Sequence, residues 1–268
     1  PKASPFSKVA QEVGLSKITV EYSRPAVRGR KVFGNLPNDL AGLVPYGRIW
    51  RVGANESTKI TVDTDVEVLG NRLSKGTYAL YALPEKDEWE IVFHKNTAHW
   101  GDGRAAYNPN EDALRVKVRP ETSAAFQENF LISFDSITHN AINMVWHWAN
   151  TKIRIPIAID TDSKMRQEID IQIKENPTAQ TYYEAARYLQ EQGKDFELAL
   201  DYLKKAIQLG GDTYYFHRVK SLVEAALGAY EAAIQSAEKS LKLAEKEEKD
   251  EFVRMNRKNI RLWKTKQK

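Results

Sequence analysis

Apolar residues in this chain keep one spacing up to about residue 160 and another beyond it, and that switch leaves few folds open. In the first stretch they recur at every second position: Ile18, Val20 and Tyr22; Leu114, Val116 and Val118; Phe130, Ile132 and Phe134. The clearest runs are Ile142, Met144, Trp146 and Trp148, then Ile153, Ile155, Ile157 and Ile159. Alternation sets one group of side chains on one sheet face, so each run predicts a half-buried strand. Further strands are expected at residues 59–63, 66–69, 77–83 and 88–94. Ala149, Asn150 and Thr151, between the last two apolar runs, suit a short hairpin loop. About nine short strands with turn signals between them predict an antiparallel sandwich.

Beyond residue 160 the spacing becomes helical. Ala185, Ala186 and Leu189, then Phe196, Ala199, Leu200, Leu203, Ala206 and Ile207, follow three-and-four steps. Gly193 falls between these runs, where a left-handed residue ends a helix. The segment Gly193-Lys194-Asp195-Phe196-Glu197-Leu198-Ala199 is echoed by Gly228-Ala229-Tyr230-Glu231-Ala232-Ala233, and Ala199 to Ala233 is 34 positions. Ala206 to Ser240 repeats that interval. Helix–turn–helix content at this period resembles the tetratricopeptide repeat, TPR. One unit spans residues 178–211, a second 212–246, and 247–263 reads as a capping helix. The chain is therefore expected to be a multidomain α+β protein. Its parts are an antiparallel β-sandwich over 1–160, a connecting segment over 161–177, and TPR-like helical repeats with their cap over 178–268. Two units are fewer than a free-standing solenoid needs, so the array is expected to lean on the β domain.

Charge excludes one large class of partner. Lys and Arg number 40 against 36 Asp and Glu, a net +4, too mild for the concentrated basic face of a nucleic-acid binder. The exception is Arg254, Arg257, Lys258, Arg261, Lys264, Lys266 and Lys268, a run without acids. It reads as the solvated face of a last helix or as a patch for anionic partners. There is no cysteine, which excludes disulfides, thiolate metal sites and cysteine nucleophiles. No apolar run approaches the roughly 18 residues of a transmembrane segment. Because the chain opens at Pro1, it is expected to be a processed product from which a signal peptide has been removed.

Two long connections, residues 23–56 and 95–112, interrupt the strand pattern, and long loops in compact domains are often functional. The first holds Arg24, Arg30, Tyr46, Trp50, Arg51 and Asn55; the second holds Lys95, Trp100 and Tyr107. Arginine forks suit carboxylate, phosphate or sulfate, aromatic faces suit sugars, and Asn55 suits a hydroxyl or amide. Together these nine residues could line a pocket for a small anionic or carbohydrate ligand. They equally suit a structural role, with arginines tying down loop carbonyls and acids while tryptophans plug the end of the sandwich. His94, His99, His139, His147 and His217 show no metal-binding spacing, so locally bonded or exposed imidazoles are expected, with no metal and no cofactor. Asp63, Asp65 and Glu67 share a strand face, as solvated carboxylates or a glycosidase pair would. Tyr182, Tyr183, Tyr188, Tyr202, Tyr214 and Tyr215 suit helix packing, and any on a concave face could grip a peptide.

The segments 22–25, 29–34 and 44–58, together with Trp100-Gly101 and the strand at 153–157, resemble the DUF2911 family of bacterial exported proteins. The similarity covers most of residues 5–160, and Trp50-Arg51-Val52-Gly53-Ala54-Asn55 is its most specific part. The resemblance implies a periplasmic or cell-envelope location and the limits of the first domain. It carries no catalytic residues. The expected function is a non-enzymatic envelope protein, with a ligand pocket on its β domain and helical repeats for protein partners. A hydrolase acting on cell-wall or glycan material is the alternative.

Overall fold

The computed structural model describes residues 1–35, 41–101 and 104–267, and the chain divides into two compact units, Pro1–Lys164 and Met165–Lys268. In the first, ten antiparallel strands form two sheets. They are β1 (Phe6–Val13), β2 (Ser16–Ser23), β3 (Thr58–Val62), β4 (Val66–Val68), β5 (Asn71–Leu73), β6 (Gly76–Pro84), β7 (Trp89–His94), β8 (Asp112–Val118), β9 (Glu121–Asp135) and β10 (Ala141–Ala158). One sheet runs β1-β2-β3-β6-β7-β8 and the other β5-β4-β10-β9. Their inner faces share one core, to which Ile18, Val20, Ile60, Leu80 and Ile91 come from the larger sheet. Phe130, Ile132, Met144, Trp146 and Ile155 come from the smaller. The unit is thus a β-sandwich, and the alternation read from sequence is the alternation between core and solvent.

Two strands escape the sequence pattern. Strand β1 is an edge strand whose residues mostly lie toward solvent, Phe6 among them at 61% exposure, and β5 has three residues. Neither carries the apolar alternation that marks a half-buried strand.

The hairpin expected at Ala149, Asn150 and Thr151 is absent. Strand β10 runs unbroken through them and pairs with β9 on both sides. The register slips between His147 and Ala149 and again before Thr151, and Ala149 takes φ 49°. This bulge changes which parity faces inward, from Met144, Trp146 and Trp148 to Ile153, Ile155 and Ile157. A parity change across a short polar stretch looks the same in sequence whether the chain reverses or bulges.

Six aromatic residues from loops and strands meet inside this sandwich. Trp50, from the first connection, stacks on Trp148 at 6.1 Å and 16° between planes. Its edges meet Phe130 at 5.4 Å, Phe33 at 5.6 Å, Trp89 at 6.1 Å and Trp146 at 6.4 Å. Edge-to-face packing at these separations favours aromatic pairs beyond their buried area.

The second unit is helical, and α1 (Thr161–Glu175) enters it. The segment read as a connection is therefore itself a helix, with Met165 and Ile169 packed on the helical core. It is followed by α2 (Ala179–Gln192), α3 (Phe196–Gln208), α4 (Tyr214–Ala226), α5 (Tyr230–Lys246) and α6 (Asp250–Lys266). Thr178 and Thr213 cap α2 and α4 through hydroxyls that accept from Thr181 and Phe216 N–H, and Gly193 ends α2 at φ 65°. Such caps satisfy amides and carbonyls that the helix leaves unpaired. Ala199, Ala206, Ala233 and Ser240 are fully buried. Small residues at these helix contacts let neighbouring backbones close up.

Candidate functional site

The nine residues marked by sequence do not form one pocket. In the first connection, Arg24 Nε donates to the Phe130 carbonyl at 2.8 Å. Arg30 donates through Nε to Val27 and through Nη2 to Ala26, at 3.0 and 2.8 Å. Asn55 Nδ2 serves the Ser4 carbonyl and Ser23 Oγ, both at 3.1 Å. Trp50 is inside the core. These four hold the fold in place. Tyr46 lies apart from them, on a polar cleft of about 770 Å³ with Phe33, Lys86, Arg119 and Thr122. Of the carboxylates considered for glycosidase chemistry, Asp63 accepts from the Lys17 amide and Asp65 from the Lys75 amide and Arg72. Those turn contacts, led by the Lys75 N–H, hold the Asp65 carboxyl below its usual range.

The rest of the candidates gather on the outer face of the six-stranded sheet. Strand β7 is apolar on both faces: Ile91 and Phe93 point into the sandwich core, while Val92 joins Ala79 and Tyr81 in a second small cluster. A strand covered on both sides buries whatever ends it, and here that is His94, at 0% exposure. The second connection folds back over this face. Tyr107 packs against the rings of His94 at 5.1 Å and Tyr81 at 5.3 Å, and His99 lies 5.6 Å from His94.

A bulge completes the arrangement. Phe93 pairs with Leu114, but the next residue, His94, pairs with Asp112, leaving Ala113 as the extra residue on β8. Without it His94 would face an alanine. With it, His94 Nδ1 lies 2.9 Å from Asp112 Oδ1. Bulges beside functional residues commonly re-aim a side chain in this way. Asp112 also accepts from Tyr107 Oη at 2.8 Å and from Arg115 Nε at 2.6 Å, and Arg115 reaches Glu90 and Tyr107 as well. Burial, with Asp112 beside it, pushes the Tyr107 phenol far above its ordinary value, so it stays protonated as a donor. Hydrogen bonding to Asp112 raises the Arg115 guanidinium further. His99 has its own support, its Nδ1 2.8 Å from Tyr81 Oη.

The two long connections are stitched together at this point. Ser57 N–H donates to the His99 carbonyl at 3.2 Å, Gly101 N–H to the Asn55 carbonyl at 3.0 Å, and Glu56 bridges Trp100. Arg51 is near enough to Tyr81 for its charge to oppose the effect of burial on that phenol. So Arg51, Trp100 and Tyr107 belong to one neighbourhood, and Lys95 is tied to it by its amide, which donates to the Glu111 carbonyl. Trp100 is 69% exposed. Sequence reasoning missed Tyr81, Glu111 and Asp112, and read His94 and His99 only as locally bonded or exposed imidazoles. The usable signal was the double-sided apolar character of β7, which already implied a buried histidine at its end.

A protein-family model described as Protein of unknown function (DUF2911) matches residues 4–157, more than half of the chain. No curated protein matches it.

Proposed function

This chain belongs to the DUF2911 family, and we propose that its β unit is a binding module for a small sugar-like or anionic ligand. The ligand rests on Trp100, beside the stitched connections. One observation carries this reading: of six tryptophans, five are at most 7% exposed, while Trp100 is 69% exposed. A flat amphipathic ring held at the lip of a buried polar cluster is a platform for a sugar face. Lys95 supplies a solvated cation nearby for a ligand that carries negative charge.

The test uses the same contrast. Trp100 is the tryptophan whose emission a ligand can reach directly, so titration with neutral and acidic sugars and small anions should shift or quench a minor, solvent-exposed component. Trp100→Ala should remove that response and weaken binding by roughly 10-fold or more, as the loss of a stacking ring worth about 1.5 kcal/mol would. Unaltered affinity in the variant would overturn the reading.

Two further parts of the proposal concern setting and partners. The resemblance to exported proteins supports work in the cell envelope, and no helix among the described residues is long and apolar enough to cross a membrane. The 34-residue period supports TPR-like use of the helical unit for protein contacts. There a groove of about 470 Å³ lies between α1 and α2, with Met165, Ile169 and Thr181 along it. Affinity capture from periplasmic and cytosolic fractions of cells making the full-length protein tests both ideas. Recovery from cytosol alone overturns the location, and the absence of any co-captured protein overturns the contacts.

A further inference from the structure

The geometry points to a divalent transition-metal site of zinc type, with His94, His99 and Glu111 as its protein ligands. It uses the neighbourhood just described but does not depend on what rests on Trp100. One potential ligand atom from each of the three residues lies within 4.8 Å of the other two. His94 Nε2 and Glu111 Oε2 are 3.5 Å apart. Two ligands on one tetrahedral ion, with bonds of about 2.0–2.1 Å, stand roughly 3.3 Å apart, so this pair already has the spacing a shared ion requires. The third position closes by a shift of an ångström or so, and His99 and Glu111 sit on a loop and a turn, both partly exposed.

Chemistry at His94 gives the second reason. Its Nδ1 faces the Asp112 carboxylate, an acceptor, so Nδ1 carries the proton and the neutral ring presents the Nε2 lone pair. That nitrogen is completely buried and has no hydrogen-bond partner. It stands 3.5 Å from another carboxylate oxygen, and two such acceptors side by side are unfavourable until a cation lies between them. The second imidazole turns the same corner: His99 has Nδ1 engaged by Tyr81, leaving Nε2 available.

Histidines whose far nitrogen is bonded to a carboxylate or phenol, with that carboxylate itself bonded by other side chains, are what a metal needs behind its ligands. Here Asp112 is held by Tyr107 and Arg115, and Tyr81 stands within reach of the Arg51 charge. Two imidazoles and one carboxylate suit zinc, cobalt, iron or nickel and not the all-oxygen shells of magnesium or calcium. Three protein ligands leave at least one coordination position for water or an anionic group. The site also gives the stretch from Trp50 to Asn55 a role: the Asn55 carbonyl receives Gly101 N–H and so anchors the connection that carries His99. The spacing of His94, His99 and Glu111 matches no linear metal motif, because the ligands converge only through the fold over β7.

The experiment is a titration of the chelator-stripped full chain with zinc alone and with cobalt alone, no organic ligand being present. The expected result is one zinc per chain, a tetrahedral or five-coordinate cobalt absorption spectrum, and a raised melting temperature. His99→Ala and Glu111→Gln alter partly exposed residues and should retain the wild-type circular dichroism. Each should lower zinc affinity more than about 100-fold, whereas Asp112→Asn should keep the stoichiometry and lose about 10–100-fold, the range for a supporting partner. Uptake of neither ion by the wild type overturns the assignment. Equal zinc affinity in wild type, His99→Ala and Glu111→Gln overturns it too. Failure of every sugar or anion to bind leaves the metal result standing, so the two readings are tested separately.

Discussion

Trp50→Ala is expected to destabilise the β unit by about 3–5 kcal/mol, the range for emptying a large aromatic site in a core. The indole is 7% exposed and is surrounded by Phe33, Trp89, Phe130, Trp146 and Trp148. Its Nε1–H reaches the Gly53 carbonyl at 3.4 Å, so the ring also steadies the loop it comes from. The neighbours belong to both sheets and to a distant part of the same connection, and they cannot all collapse into one cavity. Against a typical stability of about 5–15 kcal/mol, such a loss leaves the unit marginal. Denaturant unfolding of the full chain, followed by near-ultraviolet circular dichroism, would show the β transition moving to much lower denaturant. A transition that stayed in place while ligand binding vanished would return Trp50 to the role of a pocket wall.

Gly53→Ala is expected to cost about 2–5 kcal/mol through backbone strain and overpacking together. Gly53 has φ 135°, a conformation side chains rarely adopt, and an added Cβ would lie 2.8 Å from the Ser23 carbonyl oxygen. Neither problem is relieved by turning a side chain, because the obstacle is main chain. Val52 and Asn55 on either side are themselves in the left-handed region, at φ 57° and 61°. The loop is thus wound tightly for three residues in four, and displacing it pulls on the Asn55 carbonyl that receives Gly101 N–H. Hydrogen exchange at Gly101 should accelerate with the loss of stability. A variant within about 0.5 kcal/mol of wild type, the range for an ordinary surface change, would refute the strain argument.

These two positions also show why function was harder to read than fold. Trp50, Arg24, Arg30 and Asn55 are residue types that recognise ligands and residue types that brace loops, and composition does not separate the two uses. Burial and hydrogen-bond partners do, and both depend on chain segments far away: Arg24 on Phe130, Asn55 on Ser4, Trp50 on Trp148. Trp100 carries the same residue type as Trp50 and has the opposite environment.

Local spacing determined much by itself. Eight strands and α2 to α6 follow from periods of two and about 3.6 because side-chain direction is a property of the local backbone. Likewise, Gly193 and the threonine caps are short-range chemistry. Tertiary structure alone decided the rest: whether the chain at Ala149 reverses or bulges, and that a second bulge at Ala113 turns Asp112 toward His94. It also decided that His94, His99 and Glu111 meet. Those outcomes rest on strand register and on two loops pairing across more than forty residues, and no window of sequence contains both partners.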